Sequence, residues 1–254
     1  MLYSSFLYYR VVRALGLGFA DFQHASTIYK PVCKMPPVIL VTGANRGIGF
    51  CIAQASDAVR KLKALAIQGT FEPMSLDVTS DQSMHGLIAL IKERHGKLDV
   101  LINNAGIAAV PSSDLSDYSQ AFNSVLDTNV TSVGLLTSLL TPLLRQSESA
   151  KVINISSGRA SVERLTSGDL PPTVSVPYSV SKVALNIMTL EMAKTESNIT
   201  FYLANPGHCS TAFNGYKGKK DPLLGAEVAA NLAFGDYKSG FWHNDEGSMQ
   251  MMPW

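Results

Sequence analysis

The sequence has few of the features that mark a secreted, membrane-spanning or nucleic-acid-binding protein. Its 254 residues contain only three cysteines, Cys33, Cys51 and Cys209, which lack the paired spacing of a disulfide framework or a zinc site. Twenty-one basic residues face twenty acidic ones, so the net charge of +1 gives no electrostatic reason for a nucleic acid or an anionic membrane as partner. These absences favour a reducing, cytoplasmic location and a neutral small molecule as partner.

The first 34 residues lack an uninterrupted apolar run, because Arg10 and Arg13 break it, so they predict neither a membrane span nor a secretory signal. The same stretch is poor in acidic residues, which leaves a mitochondrial presequence as an alternative. Met35-Pro36-Pro37 stands directly before the first clear strand. We therefore predict a poorly ordered N-terminal extension over residues 1–34 and one folded domain over residues 35–254.

From residue 38 onward, short β-branched runs alternate with longer helical patterns, which is typical of parallel strands joined by crossover helices. Strands are predicted at residues 38–42, 74–78, 100–102, 151–156 and 199–204, with a last edge strand at 241–242. Helices are predicted near residues 47–66, 81–95, 118–140, 176–194 and 224–234, and Pro142 is expected to end the third of them. This order predicts a single α/β domain with a doubly wound parallel sheet between two layers of helices.

A glycine-rich turn, Thr42-Gly43-Ala44-Asn45-Arg46-Gly47-Ile48-Gly49, lies between the first predicted strand and the helix that follows it. In this context glycines let the backbone approach a pyrophosphate, whose charge is favoured by the free amides at the start of the helix. The motif predicts dinucleotide binding. A plain tight turn is the alternative that these residues leave open.

Tyr178 and Lys182 are four residues apart and therefore share one face of a predicted helix. A phenol with its ordinary pKa near ~10 is a poor acid or base at neutral pH, but a nearby ammonium lowers that pKa by favouring the phenolate. The pair can then exchange a proton near working pH. A solvated contact is the alternative, but Ser156 and Ser157 end the preceding strand at the carboxyl edge, where doubly wound folds bind ligands.

These motifs and the elements between them resemble the short-chain dehydrogenase/reductase family from Pro37 to the C-terminus, apart from one gap. The resemblance implies a Rossmann-like fold and a carbonyl-reductase-like hydride transfer between a nicotinamide and a ketone or aldehyde, or the matching alcohol. It implies catalytic roles for Asn129 in anchoring a proton-relay water and for Ser157 in binding the carbonyl oxygen. Tyr178 is the implied proton donor, tuned by Lys182. Ser156 is the neighbouring alternative to Ser157.

The resemblance also implies contacts to the cofactor from separate segments of the chain. Asp77 and Val78 look like the pair that holds the adenine, and Pro206, Gly207 and Thr211 look like the stretch that closes over the nicotinamide. The predicted cofactor-binding residues are Gly43, Asn45, Arg46, Gly47, Ile48, Gly49, Asp77, Val78, Asn104, Ala105, Gly106, Tyr178, Lys182, Pro206, Gly207 and Thr211. No metal site is predicted, because the spacing of His95, His208 and Cys209 suits none.

One expected element is missing from the first nucleotide-binding half. A charged residue that reads the ribose 2′ position is expected about 20 residues beyond the glycine motif, but residues 63–70 contain no acid and no clear strand. Residues 38–78 number only 41, whereas each βαβ unit needs roughly 30 or more. We therefore predict that the second strand is lost. Its neighbours are then left with unpaired edges, or the third strand moves into the vacant position and Asp77 moves with it.

Two functions follow from this pattern. The first is an active oxidoreductase that prefers NADP(H) over NAD(H), because Arg46 favours a 2′-phosphate, although an exposed turn arginine is the alternative. The second is a catalytically impaired relative, such as a binding or regulatory protein or a shortened isoform without stable cofactor binding. The resemblance further implies a homodimer paired through the two long helices. Residues 158–177 form either a wall of the substrate pocket or a surface excursion.

Overall fold

The computed structural model describes residues 5–13, 37–52, 68–245 and 247–254. In these residues the strands are β1 Ser5–Arg13, β2 Val38–Val41, β3 Gln68–Leu76, β4 Val100–Asn103, β5 Ala150–Ile155, β6 Ile199–Asn205, β7 Gly240–Asp245 and β8 Ser248–Met251. The helices are α1 (residues 47–52), α2 Asp81–His95, α3 Tyr118–Leu126, α4 Ser132–Leu144, α5 Val162–Thr166, α6 Val176–Thr195 and α7 Pro222–Phe234. A π-helical turn, Asp127–Thr131, joins α3 to α4.

The strands form one sheet in the order β3-β1-β2-β4-β5-β6-β7-β8. From β2 to β7 neighbouring strands are parallel, and β8 runs antiparallel to β7. The predicted Rossmann-like α/β fold is therefore confirmed. The prediction of an edge strand at residues 241–242 is wrong, because these residues belong to β7, which also pairs with β8.

Strand β1 occupies the position between β2 and β3 and is antiparallel to both. Tyr9, for example, is in register with Leu40 on one side and with Glu72 on the other. The prediction of unpaired edges or a displaced third strand is therefore wrong, because Ser5–Arg13, which the prediction placed in the N-terminal extension, forms this strand. The physical reason is that buried backbone groups of β2 and β3 need partners, which a segment rich in Tyr, Val and Phe can supply. The rest of residues 1–34, and residues 53–66 of the predicted helix, lie outside the described residues.

The central strands read as continuous Val, Ile and Leu runs because helices cover both faces of the sheet. On one face, Leu40 and Phe201 pack with Ile91 of α2 and Leu140 of α4. On the other face, side chains of the intervening strand positions pack with α1 and α7. Alternate residues of one strand thus enter separate cores, which gives the three layers.

Helix boundaries follow local chemistry in α2, where Ser80 caps the first turn and Gly96 ends the last in a left-handed conformation with φ 68°.

The expectation that Pro142 ends a helix is wrong, since α4 continues through it to Leu144. None of the described helices is long and apolar enough to cross a membrane.

Candidate active site

Lys182 lies on the buried side of α6, with 6% of its surface exposed. Its Nζ donates to the carbonyl oxygen of Ile155, the last residue of β5, at 2.7 Å and lies 5.7 Å from the ring centroid of Tyr178. Burial lowers the pKa of this ammonium to about 8. The lysine is therefore fixed between α6 and the carboxyl edge of the sheet.

Tyr178 begins the same face of α6 one turn earlier and is half-buried. Burial raises the pKa of its phenol, and the interaction with the side chain of Ser157 opposes that rise. The expectation that Lys182 lowers this pKa is not met, because loss of hydration outweighs the other influences on the phenol. The hydroxyl of Tyr178 accordingly holds its proton through neutral pH.

The two serines that follow β5 have different partners. The hydroxyl of Ser156 donates to Oδ1 of Asn186 at 2.6 Å, and both residues are buried. Ser157 instead faces Tyr178. The structure therefore brings Ser157 rather than Ser156 to the tyrosine. Asn186 was missed from the sequence, although its position four residues after Lys182 puts both on one helix face.

Asn129 is fully buried in the π-helical turn. Its Nδ2 donates to the Ile107 carbonyl oxygen at 2.8 Å and to Oγ of Ser181 at 3.0 Å, and its Oδ1 accepts from the Ile107 amide at 2.9 Å. A Cβ on Gly106 would lie 3.1 Å from Asn129 Oδ1 and 3.9 Å from Lys182 Nζ. The missing side chain at Gly106 thus lets the chain after β4 pass close to the lysine.

We call Asn129, Ser157, Tyr178 and Lys182 the reaction centre. They come from the π-helical turn, the end of β5 and the first two turns of α6. Sequence motifs predicted a role for all four, but the π-helical turn that presents Asn129 carries no sequence signal that we recognised. Such turns occur often at functional sites.

The glycine turn is bound tightly to the segment after β4. The Thr42 hydroxyl accepts hydrogen bonds from the amides of Asn104 and Ala105, each at 3.0 Å, and Asn104 Nδ2 donates to the Thr42 carbonyl oxygen at 2.9 Å. A Cβ on Gly43 would lie 2.9 Å from Ala105 Cα, and one on Gly49 would lie 2.4 Å from the Gly43 carbonyl oxygen. Only glycine fits at these two positions, so the turn has the bare backbone that a pyrophosphate requires.

The segment after β6 reaches this turn from the other side. Gly207 has a left-handed φ of 82°, and its amide donates to Asn205 Oδ1 at 3.0 Å. The Thr211 methyl group lies 3.5 Å from where a Cβ on Gly47 would be. The predicted residues Pro206, Gly207 and Thr211 thus lie on a loop beside the glycine turn, and together these surfaces fit a nicotinamide dinucleotide.

We use the name adenosine end for Arg46, Asp77 and Val78, the residues predicted to bind the adenosine part of the cofactor. Arg46 is exposed beside the equally exposed Asn45, Val78 is buried, and the carboxylate of Asp77 accepts from the amide and the hydroxyl of Thr79 at 2.9 and 2.7 Å. The side chain of Ile48 packs against the core on the face of the sheet that α1 and α7 cover.

At the adenosine end, β1 occupies the position of the missing second strand, which was expected to end in a charged residue. Tyr8 is in register with Val41 and Ser5 with Leu76, so residues 5–7 extend past the end of β2 toward the glycine turn. These residues are Ser, Phe and Leu, and none is charged. The acid that would read a ribose 2′-hydroxyl is therefore not supplied by this strand.

Sequence comparison places this chain among the short-chain dehydrogenases. The model of the family described as short chain dehydrogenase matches residues 54–222. A short-chain dehydrogenase/reductase of Aspergillus fumigatus is 31% identical over 256 residues, covering 85% of this chain and 97% of that protein. A short-chain dehydrogenase of Penicillium roqueforti is also 31% identical, covering 78% of this chain and 88% of its own.

Solved structures of reductases share the fold. An NADPH-bound carbonyl reductase from chicken fatty liver superposes with a TM-score of 0.67 at 26% identity, covering 85% of this chain and 98% of that chain. Salutaridine reductase from Papaver somniferum superposes with a TM-score of 0.61 at 25% identity, covering 80% and 97% of the two chains.

Proposed function

The chain belongs to the short-chain dehydrogenase family, a family of oxidoreductases, and on this premise we propose that it transfers a hydride between NADP(H) and a ketone or aldehyde, or the matching alcohol. The observation that carries the proposal is the reaction centre. Four polar side chains from separate elements meet at the carboxyl edge of the sheet, next to a turn with the bare backbone that a dinucleotide requires.

The bound nicotinamide supplies or accepts the hydride. Ser157 donates a hydrogen bond to the carbonyl oxygen of the substrate and so stabilises the charge that develops there. Tyr178 gives its proton to that oxygen in the reductive direction, for which the raised pKa of its phenol keeps it protonated. Lys182 holds a positive charge beside the tyrosine below pH 8, and Asn129 fixes the neighbouring backbone at Ile107.

The preference for NADP(H) over NAD(H) rests on the adenosine end. Arg46 is exposed on the glycine turn, where a guanidinium can bind a 2′-phosphate. The NADPH in the similar chicken carbonyl reductase supports the same choice.

We also propose a homodimer and a reducing compartment, with the cytoplasm ahead of mitochondria. The apolar side chains of Val180 and Ile187 on α6 are 42% and 55% exposed, as expected of a helix that packs against a second copy. The described cysteines Cys51 and Cys209 are free thiols. Light scattering of the purified protein tests the dimer.

The decisive experiment is a titration with NADPH, followed by nucleotide fluorescence, together with an assay of NADPH-dependent ketone reduction. Saturable binding in the micromolar range and turnover are expected, and Tyr178→Phe should abolish turnover while leaving binding unchanged. Tyr202→Phe is the matched control, because its hydroxyl bonds the Tyr237 carbonyl oxygen away from the reaction centre. Absence of saturable binding would support the catalytically impaired alternative.

A further inference from the structure

The ring of Phe213 lies against the ring of Tyr178, with centroids 5.4 Å apart and planes tilted by 59°. Half of the Phe213 surface is nevertheless exposed. An aromatic ring beside the proton donor that keeps an open face offers a contact surface to whatever occupies the reaction centre.

The ring is held in place by its own loop. Phe213 is the middle residue of a 3-10 turn, Ala212–Asn214, which is closed by a hydrogen bond from the Tyr216 amide to the Thr211 carbonyl oxygen at 2.8 Å. The Asn214 side chain donates to the Cys209 carbonyl oxygen at 2.8 Å. Because the backbone of this turn is already ordered, it loses little conformational entropy when a ligand packs on the ring.

The neighbouring loops continue the apolar surface. Ser175 Oγ donates to the Ala109 carbonyl oxygen at 2.7 Å, which joins the loop before α6 to the loop after β4. Beside this bond Val110, Val174 and Val176 are 57%, 75% and 47% exposed. One of these loops passes Lys182 and the other leads into Tyr178, so both border the reaction centre.

The same loops carry no charge that would balance a charged substrate. Residues 105–111, 170–177 and 211–215 contain no Asp, Glu, Lys, Arg or His. Besides Lys182 of the reaction centre, two arginines lie near these loops: Arg159 donates to the Pro171 carbonyl oxygen at 2.6 Å, and Arg164 Nη1 would be 3.1 Å from a Cβ on Gly158. The first already has an acceptor, and the second lies under the turn that follows Ser157.

We infer that the substrate is an uncharged carbonyl compound with a flat apolar group, best an aromatic ring, beside the reacting carbonyl, and that Phe213 selects it by packing against that group. This inference rests on the proposed function. A substrate with a carboxylate or phosphate near the carbonyl would leave its charge against apolar loops without a partner.

The test measures binding by calorimetry, which does not depend on turnover, with and without saturating NADP⁺. The probes are a neutral aryl methyl ketone and the same ketone carrying a ring carboxylate. The neutral ketone should bind at least about 10-fold more tightly, because its apolar face is buried without stranding a charge. Phe213→Ala should weaken its binding by about 5- to 10-fold and Phe213→Leu by about 2- to 3-fold.

Phe234→Ala is the matched control. Phe234 is a phenylalanine of similar exposure, 44%, at the end of α7 beside the amino end of β5, on the opposite edge of the sheet. It should leave ketone binding unchanged. The inference is overturned if the carboxylated ketone binds as well as the neutral one, if neither binds, or if Phe213→Ala has no effect. Binding in the expected order without NADPH consumption would instead contradict the proposed reaction and leave the inference standing.

Discussion

The reaction centre and the adenosine end are built in different ways. At the reaction centre, buried polar side chains bond to neighbouring elements: Lys182 to a backbone carbonyl of β5, and Asn129 to the backbone after β4 and to the Ser181 hydroxyl of α6. At the adenosine end, the supporting strand is β1, which comes from the start of the chain and runs antiparallel to its neighbours. The difference teaches that the candidate proton-transfer residues depend on contacts between neighbouring elements, whereas the sheet beside the glycine turn depends on a segment that is distant in sequence.

Removal of one hydroxyl from the reaction centre should have the largest effect on activity. Ser157→Ala is expected to lower kcat for ketone reduction by about 100- to 1000-fold, as loss of one hydrogen-bond donor to a developing oxyanion does. NADPH affinity should stay unchanged. Steady-state kinetics and a fluorescence titration measure the two quantities.

Ser156→Ala is its control, because that hydroxyl bonds Asn186 instead. It should cost about 1–3 kcal/mol of unfolding free energy by stranding a buried amide, with a much smaller loss of kcat. Equal losses of kcat in the two variants would contradict the assignment of Ser157.

Disruption of β1 should affect the adenosine end and spare the chemistry. Tyr9 is paired on both sides, so Tyr9→Pro removes a ladder hydrogen bond and should lower the free energy of unfolding, measured by urea denaturation, by about 1–3 kcal/mol. KM for NADPH should rise, whereas kcat at saturating nucleotide changes little. Tyr9→Thr keeps a β-forming residue and should behave like the parent protein. An unchanged KM in the proline variant would show that the nucleotide does not depend on this strand.

The buried ammonium of the reaction centre should make stability depend on pH. The pKa of Lys182 in the folded chain is lowered to about 8. Between pH 8 and the higher pKa that this lysine has in the unfolded chain, the unfolded chain therefore binds a proton that the folded chain does not. Stability from this group therefore rises with pH in that window. Lys182→Met should remove the rise and add about 1–2 kcal/mol at pH 7, because a buried charge disappears, while activity is lost.

Lys194→Met provides the comparison on the same helix, since the Lys194 side chain is 69% exposed. It should leave the pH dependence of urea denaturation unaltered. A rise in stability above pH 8 that persists in Lys182→Met would assign it to another group.

The smallest effect is expected at the exposed arginine of the adenosine end. Arg46→Ala should weaken NADPH binding by about 10-fold, equal to about 1.4 kcal/mol, and leave NADH binding nearly unchanged. Arg46→Lys should retain part of the preference, because it keeps the charge without the planar fork. Parallel losses for both nucleotides would contradict a 2′-phosphate contact.

Much of the reaction centre could be predicted because its signals are local. The four-residue spacing of Tyr178 and Lys182 fixes a shared helix face, and a strand followed by Ser156 and Ser157 fixes an edge of the sheet. The choice between those serines could not be made from spacing, because it depends on Asn186, which lies 30 residues away in sequence. The raised pKa of Tyr178 likewise depends on burial, which no motif reports.

Less of the structure around the adenosine end could be predicted from the sequence. Counting residues 38–78 predicted the loss of the second strand, but it did not predict that β1 lies between β2 and β3. The composition of residues 1–34 predicts an N-terminal extension. The place of residues 5–13 in the sheet depends instead on backbone groups of β2 and β3 that need hydrogen-bond partners. Backbone pairing between distant segments leaves little trace in side-chain pattern, since almost any β-forming segment of suitable length can make it.

The sequence by itself determined the family and the parallel α/β fold from β2 to β7, and it predicted which side chains react, because each of these depends on short-range periodicity or on a motif of fixed spacing. Only the tertiary structure decided three further points: that β1 lies between β2 and β3, that Ser157 rather than Ser156 faces Tyr178, and that Phe213 lies against Tyr178. Each depends on which distant segments meet in space, and that is set by burial and backbone pairing across the whole chain.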